Sequence, residues 1–175
     1  MKTYIALLRG INVGGHKKIL MSDLKKLFES LGFRDVRTYI QSGNVVFSSN
    51  ADVDFANTIS EAIESKYGFK VPVLVKKASE LAEILSKCPF SDEKREKSYF
   101  ILLAEYPDEE AKVASATFAS EEEPFLITDN CVYIFYAKGA GKAKLGVNFF
   151  EKKLKVIATA RNYRTMAKLL ELANP

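Results

Sequence analysis

LLRGINVGGHKK, Leu7 to Lys18, passes from an apolar run through a glycine-rich turn into a basic segment. The apolar side of this junction, Thr3 to Leu8, shows no polar alternation, so it reads as a central strand buried on both faces. Arg9 to Ile19 is loop, broken by Gly10, Gly14 and Gly15. Downstream, Ser22 is placed to cap a helix in which Leu24, Leu27, Phe28 and Leu31 recur at i, i+3, i+4 and i+7, with Gly32 as its stop. Val36 to Ile40 is a strand, Gln41-Ser42-Gly43-Asn44 a turn, and Val45 to Ser48 the returning strand. Asp52 or Asp54 opens a second helix lined by Phe55, Ile59, Ala62, Ile63 and Tyr67 and stopped by Gly68, and Val71 to Val75 is a fourth strand.

The order β-α-β-β-α-β is the ferredoxin-like, split βαβ pattern. Right-handed crossovers then give a four-stranded antiparallel sheet with the first and third strands central and both helices on one face. Residues 1–77 form this half, and 78–97 a connecting helix (Ala78 to Lys87) followed by the charged linker SDEKREK. In 98–175 the pattern restarts, YFILLA at Tyr99 echoing YIALL at Tyr4. A helix follows Asp108, a hairpin runs from Phe125 to Tyr136, a helix covers Lys144 to Leu154, and a last helix spans Asn162 to Leu172. The expected fold is therefore α+β, with two ferredoxin-like halves, the second degenerate and extended by a C-terminal helix.

Composition agrees with a globular chain: 47% of the 175 residues are hydrophobic and 27% charged. No apolar run approaches the roughly 20 residues that span a bilayer. The start, MKTYIALLRG, reads as a strand rather than a signal peptide. Cys88 and Cys131 have neither metal nor redox spacing, so reduced structural thiols and a cytoplasmic setting are expected. Net charge is only +4, yet Ser91–Asn130 holds 4 basic and 11 acidic residues and Cys131–Pro175 holds 9 basic and 2 acidic. These segments either pair with each other or leave a basic face for an anion.

Topology brings the end of the first strand to the tip of the hairpin. Arg9 and Asn12 should neighbour Gln41, Ser42 and Asn44, beside the start of the first helix, where free N–H groups and the helix dipole favour an anion. RGINVGG is neither a dinucleotide fingerprint nor a P-loop: its glycines are spaced G-x-x-x-G-G, and His16 follows Gly15. KGAGKAKLG at Lys138–Gly146 also fails the P-loop spacing, leaving Lys138, Lys142 and Lys144 as electrostatic phosphate contacts or as an exposed loop. Arg161, Arg164 and Lys168 fall on one side of the expected last helix. Arg161 and Asn162 at its start oppose the dipole and suggest another task. With one histidine, and with Ser42 outside a G-x-S-x-G context, neither a hydrolytic triad nor a zinc site can be assembled.

LLRGINVGG at Leu7–Gly15, TYIQSGNVVF at Thr38–Phe47 and TARNYRT at Thr159–Thr165 resemble a family of small bacterial proteins classed as a domain of unknown function. In this family the position of Tyr163 tends to carry Trp. The resemblance implies an α+β structure of two ferredoxin-like halves and implies no activity.

The residues alone point to non-catalytic binding of a phosphate-bearing ligand, a nucleotide or a nucleic acid backbone. The expected contacts are Arg9, Asn12, Gln41, Ser42, Asn44, Lys144, Arg161 and Asn162. Ala6, Leu8, Val45 and Phe47 do not reproduce the aromatic pattern of RNA-recognition sheets, which disfavours sequence-specific RNA binding. The alternatives are a metal-independent enzyme acting on a small anion and a protein-interaction module. No cofactor, metal or membrane partner is expected, and the sequence leaves the oligomeric state open.

Overall fold

The computed structural model describes residues 1–174. It separates into two compact units, Met1–Leu81 with the residues from Lys168 onward, and Ala82–Ala167. Each carries one four-stranded antiparallel sheet.

In the first unit the order is β1 (Lys2–Leu8), α1 (Met21–Ser30), β2 (Arg34–Tyr39), β3 (Asn44–Ser49), α2 (Phe55–Tyr67) and β4 (Val73–Lys77); α3 (Ala78–Ser86) begins in this unit and ends in the second. The sheet runs β2-β3-β1-β4, so the first and third strands are central. Tyr4, Ala6 and Leu8 of β1 and Val45 and Phe47 of β3 pack in one core with Leu24, Leu27 and Phe28 of α1 and Phe55, Ile59 and Ile63 of α2. Phe47 is the hub of its rings: Phe33 stacks on it at 4.5 Å, and Phe28, Phe55 and Tyr4 lie 5.5–5.6 Å away. Truncating Phe47 to Ala removes all four contacts from a fully buried site, a change that costs about 3–5 kcal/mol.

The helix boundaries show which local signals act. Asp54 caps α2, accepting from the Asn57 N–H at 3.1 Å, and Gly68 ends it in the left-handed region at φ 76°. Ser22, by contrast, does not cap α1. The capping position is Leu20, whose carbonyl receives the N–H groups of Asp23 and Leu24, and no side chain joins it. A tertiary clasp on the preceding residue, described below, sets the helix entry instead.

The second unit contains α4 (Asp92–Arg95), β5 (Ser98–Leu103), α5 (Glu109–Ala116), β6 (Phe125–Ile127), β7 (Cys131–Phe135), α6 (Val147–Leu154) and β8 (Ala158–Asn162), and α7 (Tyr163–Ala173) begins in it. Its sheet order, β6-β7-β5-β8, repeats that of the first unit position for position. The second half is thus more complete than its sequence suggests, because Ala158–Asn162 is a strand and not the approach to a helix. The alanines and the basic i, i+3, i+7 spacing favour a helix locally. The backbone instead pairs with β5, Arg161 opposite Phe100 and Asn162 opposite Tyr99, and tertiary pairing overrides propensity. Arg161 is therefore not on α7 at all.

Among the described residues no helix is long and apolar enough to cross a membrane.

Candidate functional site

At the end of β1 in the first unit, Leu7 pairs with Asn44 and the Leu8 N–H donates to Gly43 O at 2.8 Å, which seats the hairpin tip Ile40–Gly43 against the glycine loop. Asn12 joins the two. Its Nδ2 donates to Gln41 O (2.9 Å) and Ile19 O (3.0 Å), and its Oδ1 accepts from Ile19 N (2.9 Å). A backbone bond from Asn12 N to Lys17 O at 3.2 Å closes the loop. Asn12 and Gln41 thus meet as their positions in the fold require. Asn12 serves as a clasp, however, with both amide hydrogens engaged inside the protein, and Gln41 contributes its main chain.

Asn44 is fully buried and donates to Tyr39 O and Ser42 Oγ, each at 3.0 Å. These bonds shape the turn. The groups left at the surface are the Ser42 and Gln41 side chains, the half-buried Arg9, and the exposed Gly14, Gly15, His16 and Lys18. The backbone N–H of Arg9 donates to Pro72 O at 3.0 Å, which fixes where its side chain leaves the sheet.

This edge concentrates unusual backbone. Gly10, Asn12, Gly14, Gly15 and Lys17 all have positive φ, and so do Ile40 and Gly43 at the facing tip. Three apolar side chains are exposed around it: Val13 (64%), Leu20 (67%) and Ile40 (51%). Each is one residue along the chain from a residue that the Asn12 clasp holds or from Asn12 itself.

The remaining expected contacts, Lys144, Arg161 and Asn162, belong to the second unit. Arg161 is buried in β8, its Nη1 donating to Thr159 Oγ1 (2.9 Å) and Ala160 O (2.7 Å), and burial pulls its guanidinium down to about 10. Asn162 caps α7, accepting from the Thr165 N–H at 2.9 Å. The main-chain N–H groups of Lys144 and Leu145 do form an anion cradle, but its anion is internal. The buried Glu123 carboxylate accepts from both, at 2.7 and 2.8 Å. In the sequence Glu121-Glu122-Glu123 is a run of three like residues, and nothing local distinguishes Glu123 from its neighbours.

Ion pairs within this unit form both between the acidic and basic segments and inside the acidic one. Glu122 bonds Lys138, and Lys112 bridges Glu109 and Asp129, each at 2.6 Å. These partners hold the Lys112 ammonium above the usual lysine range and the Glu122 carboxyl below the usual carboxylate range.

For other chemistry the inventory is short. Cys88 is half-buried, and burial pushes its thiol up, away from the thiolate a nucleophile needs. Among the described residues no three His, Cys, Asp or Glu side chains gather as metal ligands.

Two α+β units of split βαβ order, with a clasped glycine loop facing a hairpin tip, define the class of protein. The chain belongs to the family described as "Protein of unknown function (DUF1697)", whose model matches residues 1–133. A search of curated proteins finds no match. Among solved structures, the conserved bacterial protein SP0830 from Streptococcus pneumoniae is similar in fold. It has a TM-score of 0.68 and 21% identity, covering 99% of both chains.

Proposed function

We propose that the chain is a non-catalytic binding module for a phosphate-bearing ligand, a nucleotide or a nucleic acid backbone. The ligand is taken at the Arg9/Gln41–Asn44 edge of the first unit. The observation that carries this reading is Ile40. It is β-branched, sits at φ 47° and leaves about half its surface in water. A left-handed conformation costs an L-residue roughly 1–2 kcal/mol, and most for a β-branched one. Packing returns little to an exposed side chain, and Gly or Asn would satisfy the turn at lower cost. Backbone strain kept without a packing return marks a contact position. Around it, the Asn12 clasp preorganises the glycine loop, Arg9 and Lys18 supply positive charge, and Gln41 and Ser42 supply polar contacts. Val13, Leu20 and Ile40 suit the apolar faces of bases or sugars.

A thermal-shift panel of nucleotides and short oligonucleotides tests the reading, since ligand at 100 times Kd adds about 2.7 kcal/mol of stability. For a nucleic acid, affinity should fall steeply with salt. Arg9→Ala and Ser42→Ala should weaken binding without unfolding the chain. Failure of every ligand to shift the midpoint, or wild-type affinity in both variants, would remove the proposal. Turnover of a bound ligand would make the site catalytic.

A further inference from the structure

The two units carry the same tyrosine in different surroundings. Tyr4 lies near the start of β1, opposite Phe47 and Lys77, and Tyr99 lies near the start of β5, opposite Ile134 and Asn162. Both belong to the helix-side layer of their sheets. In the first unit, α2 begins at Phe55, soon after β3 ends at Ser49, and the Phe55 ring closes on Tyr4 at 4.6 Å. In the second, β7 ends at Phe135 and α6 begins only at Val147. The longer connection runs out through Gly139 and a single 3-10 turn at Ala140–Lys142. Among the described residues no ring takes the place of Phe55 over Tyr99, whose ring pairs edge-on with Tyr136 at 5.5 Å. A cavity of about 480 Å³ opens there, bordered by Tyr99, Phe135, Asn162, Lys97, Arg164 and Glu96.

The charges at this cavity differ from those nearby. Arg95 pairs with Asp92 and Lys138 with Glu122. Lys97 and Arg164 are exposed and form no ion pair among the described residues. With Glu96 the rim carries a net positive charge, and it opens at the start of α7, whose dipole is positive at that end. A half-buried ring, two exposed cations and a volume within the range of small-ligand pockets lie together here.

We infer that this second-unit cleft binds a nucleoside monophosphate, its base against Tyr99 and its phosphate held by Lys97 and Arg164. The inference is independent of the first-unit edge and uses none of its residues. Isothermal titration of the full chain with adenosine monophosphate tests it, with adenosine and inorganic phosphate as half-ligands. Saturable binding is expected, weakened about tenfold or more by Arg164→Ala or Lys97→Ala, each the loss of a charge-assisted bond. Both positions are exposed, so these variants should fold as the parent does. Tyr99→Leu should weaken the nucleotide while sparing phosphate, and in an Arg9→Ala background, which removes the first-unit edge, the losses caused by Arg164→Ala and Lys97→Ala should persist. The proposal falls if adenosine monophosphate gives no binding heat, or if phosphate alone binds as tightly. It also falls if Arg9→Ala abolishes binding while Arg164→Ala and Tyr99→Leu leave it intact, which would assign the nucleotide to the first-unit edge.

Discussion

At position 43 a β-carbon would lie 2.7 Å from Leu8 Cβ and 2.9 Å from Ile11 Cδ1, on a backbone with φ 83°. Both the conformation and the space admit only glycine. Gly43→Ala should lose about 2–4 kcal/mol, the left-handed penalty plus overpacking, read as a shift in the urea midpoint. Ile40 is the opposite case, a residue that satisfies neither need. Ile40→Asn should raise stability by about 1 kcal/mol in the same measurement, because Asn tolerates the left-handed region. If the edge is the ligand site, the gain is accompanied by weaker ligand binding. A stabilised variant with full affinity would count against that site.

Among the elements, the clasp and the internal anion cradle are each made by one side chain reaching across sequence. Asn12→Ala leaves the Ile19 N–H and the Ile19 and Gln41 carbonyls without their partner, a loss of about 1–3 kcal/mol with faster hydrogen exchange at Ile19. Glu123→Gln sets an NH2 group against one of two main-chain donors and should speed exchange at Lys144 and Leu145. Neither device was legible in the sequence. Asn12 has a partner 29 residues away, and Glu123 is one of three consecutive glutamates. What could be read was periodic. Leu24, Leu27 and Phe28 marked the buried face of α1, the Gln41–Asn44 turn marked the hairpin that returns as β3, and the element order carried the sheet topology. β8 escaped because Ala158-Thr159-Ala160 has little apolar pattern of its own and becomes a strand only through β5. That Asn12 would meet the Gln41 turn was legible from topology alone. That the polar atoms of Asn12 and Asn44 would be engaged internally was not, since hydrogen-bond satisfaction depends on the folded geometry.

For the whole molecule, the buried phenols set an alkaline limit. Burial pushes Tyr136 up to about 12, and its hydroxyl donates to Leu145 O at 2.8 Å; burial raises Tyr133 as well. A proton held more tightly in the folded than in the unfolded chain contributes stability that is complete below pH 10. It is lost as the pH climbs toward 12, because the unfolded chain ionises first. Urea midpoints should therefore fall between pH 10 and 12, and the fall should be shallower in Tyr136→Phe. The Asn12 clasp bears on time as well as on equilibrium. Its bond to Gln41 can close only after the β2–β3 hairpin has formed and β1 has docked beside it, late on the route to the native state. An interaction absent from the transition state affects unfolding and leaves folding alone. Asn12→Ala should raise the unfolding rate while refolding keeps its wild-type speed, so the clasp acts as a latch that sets how long the folded edge survives between openings.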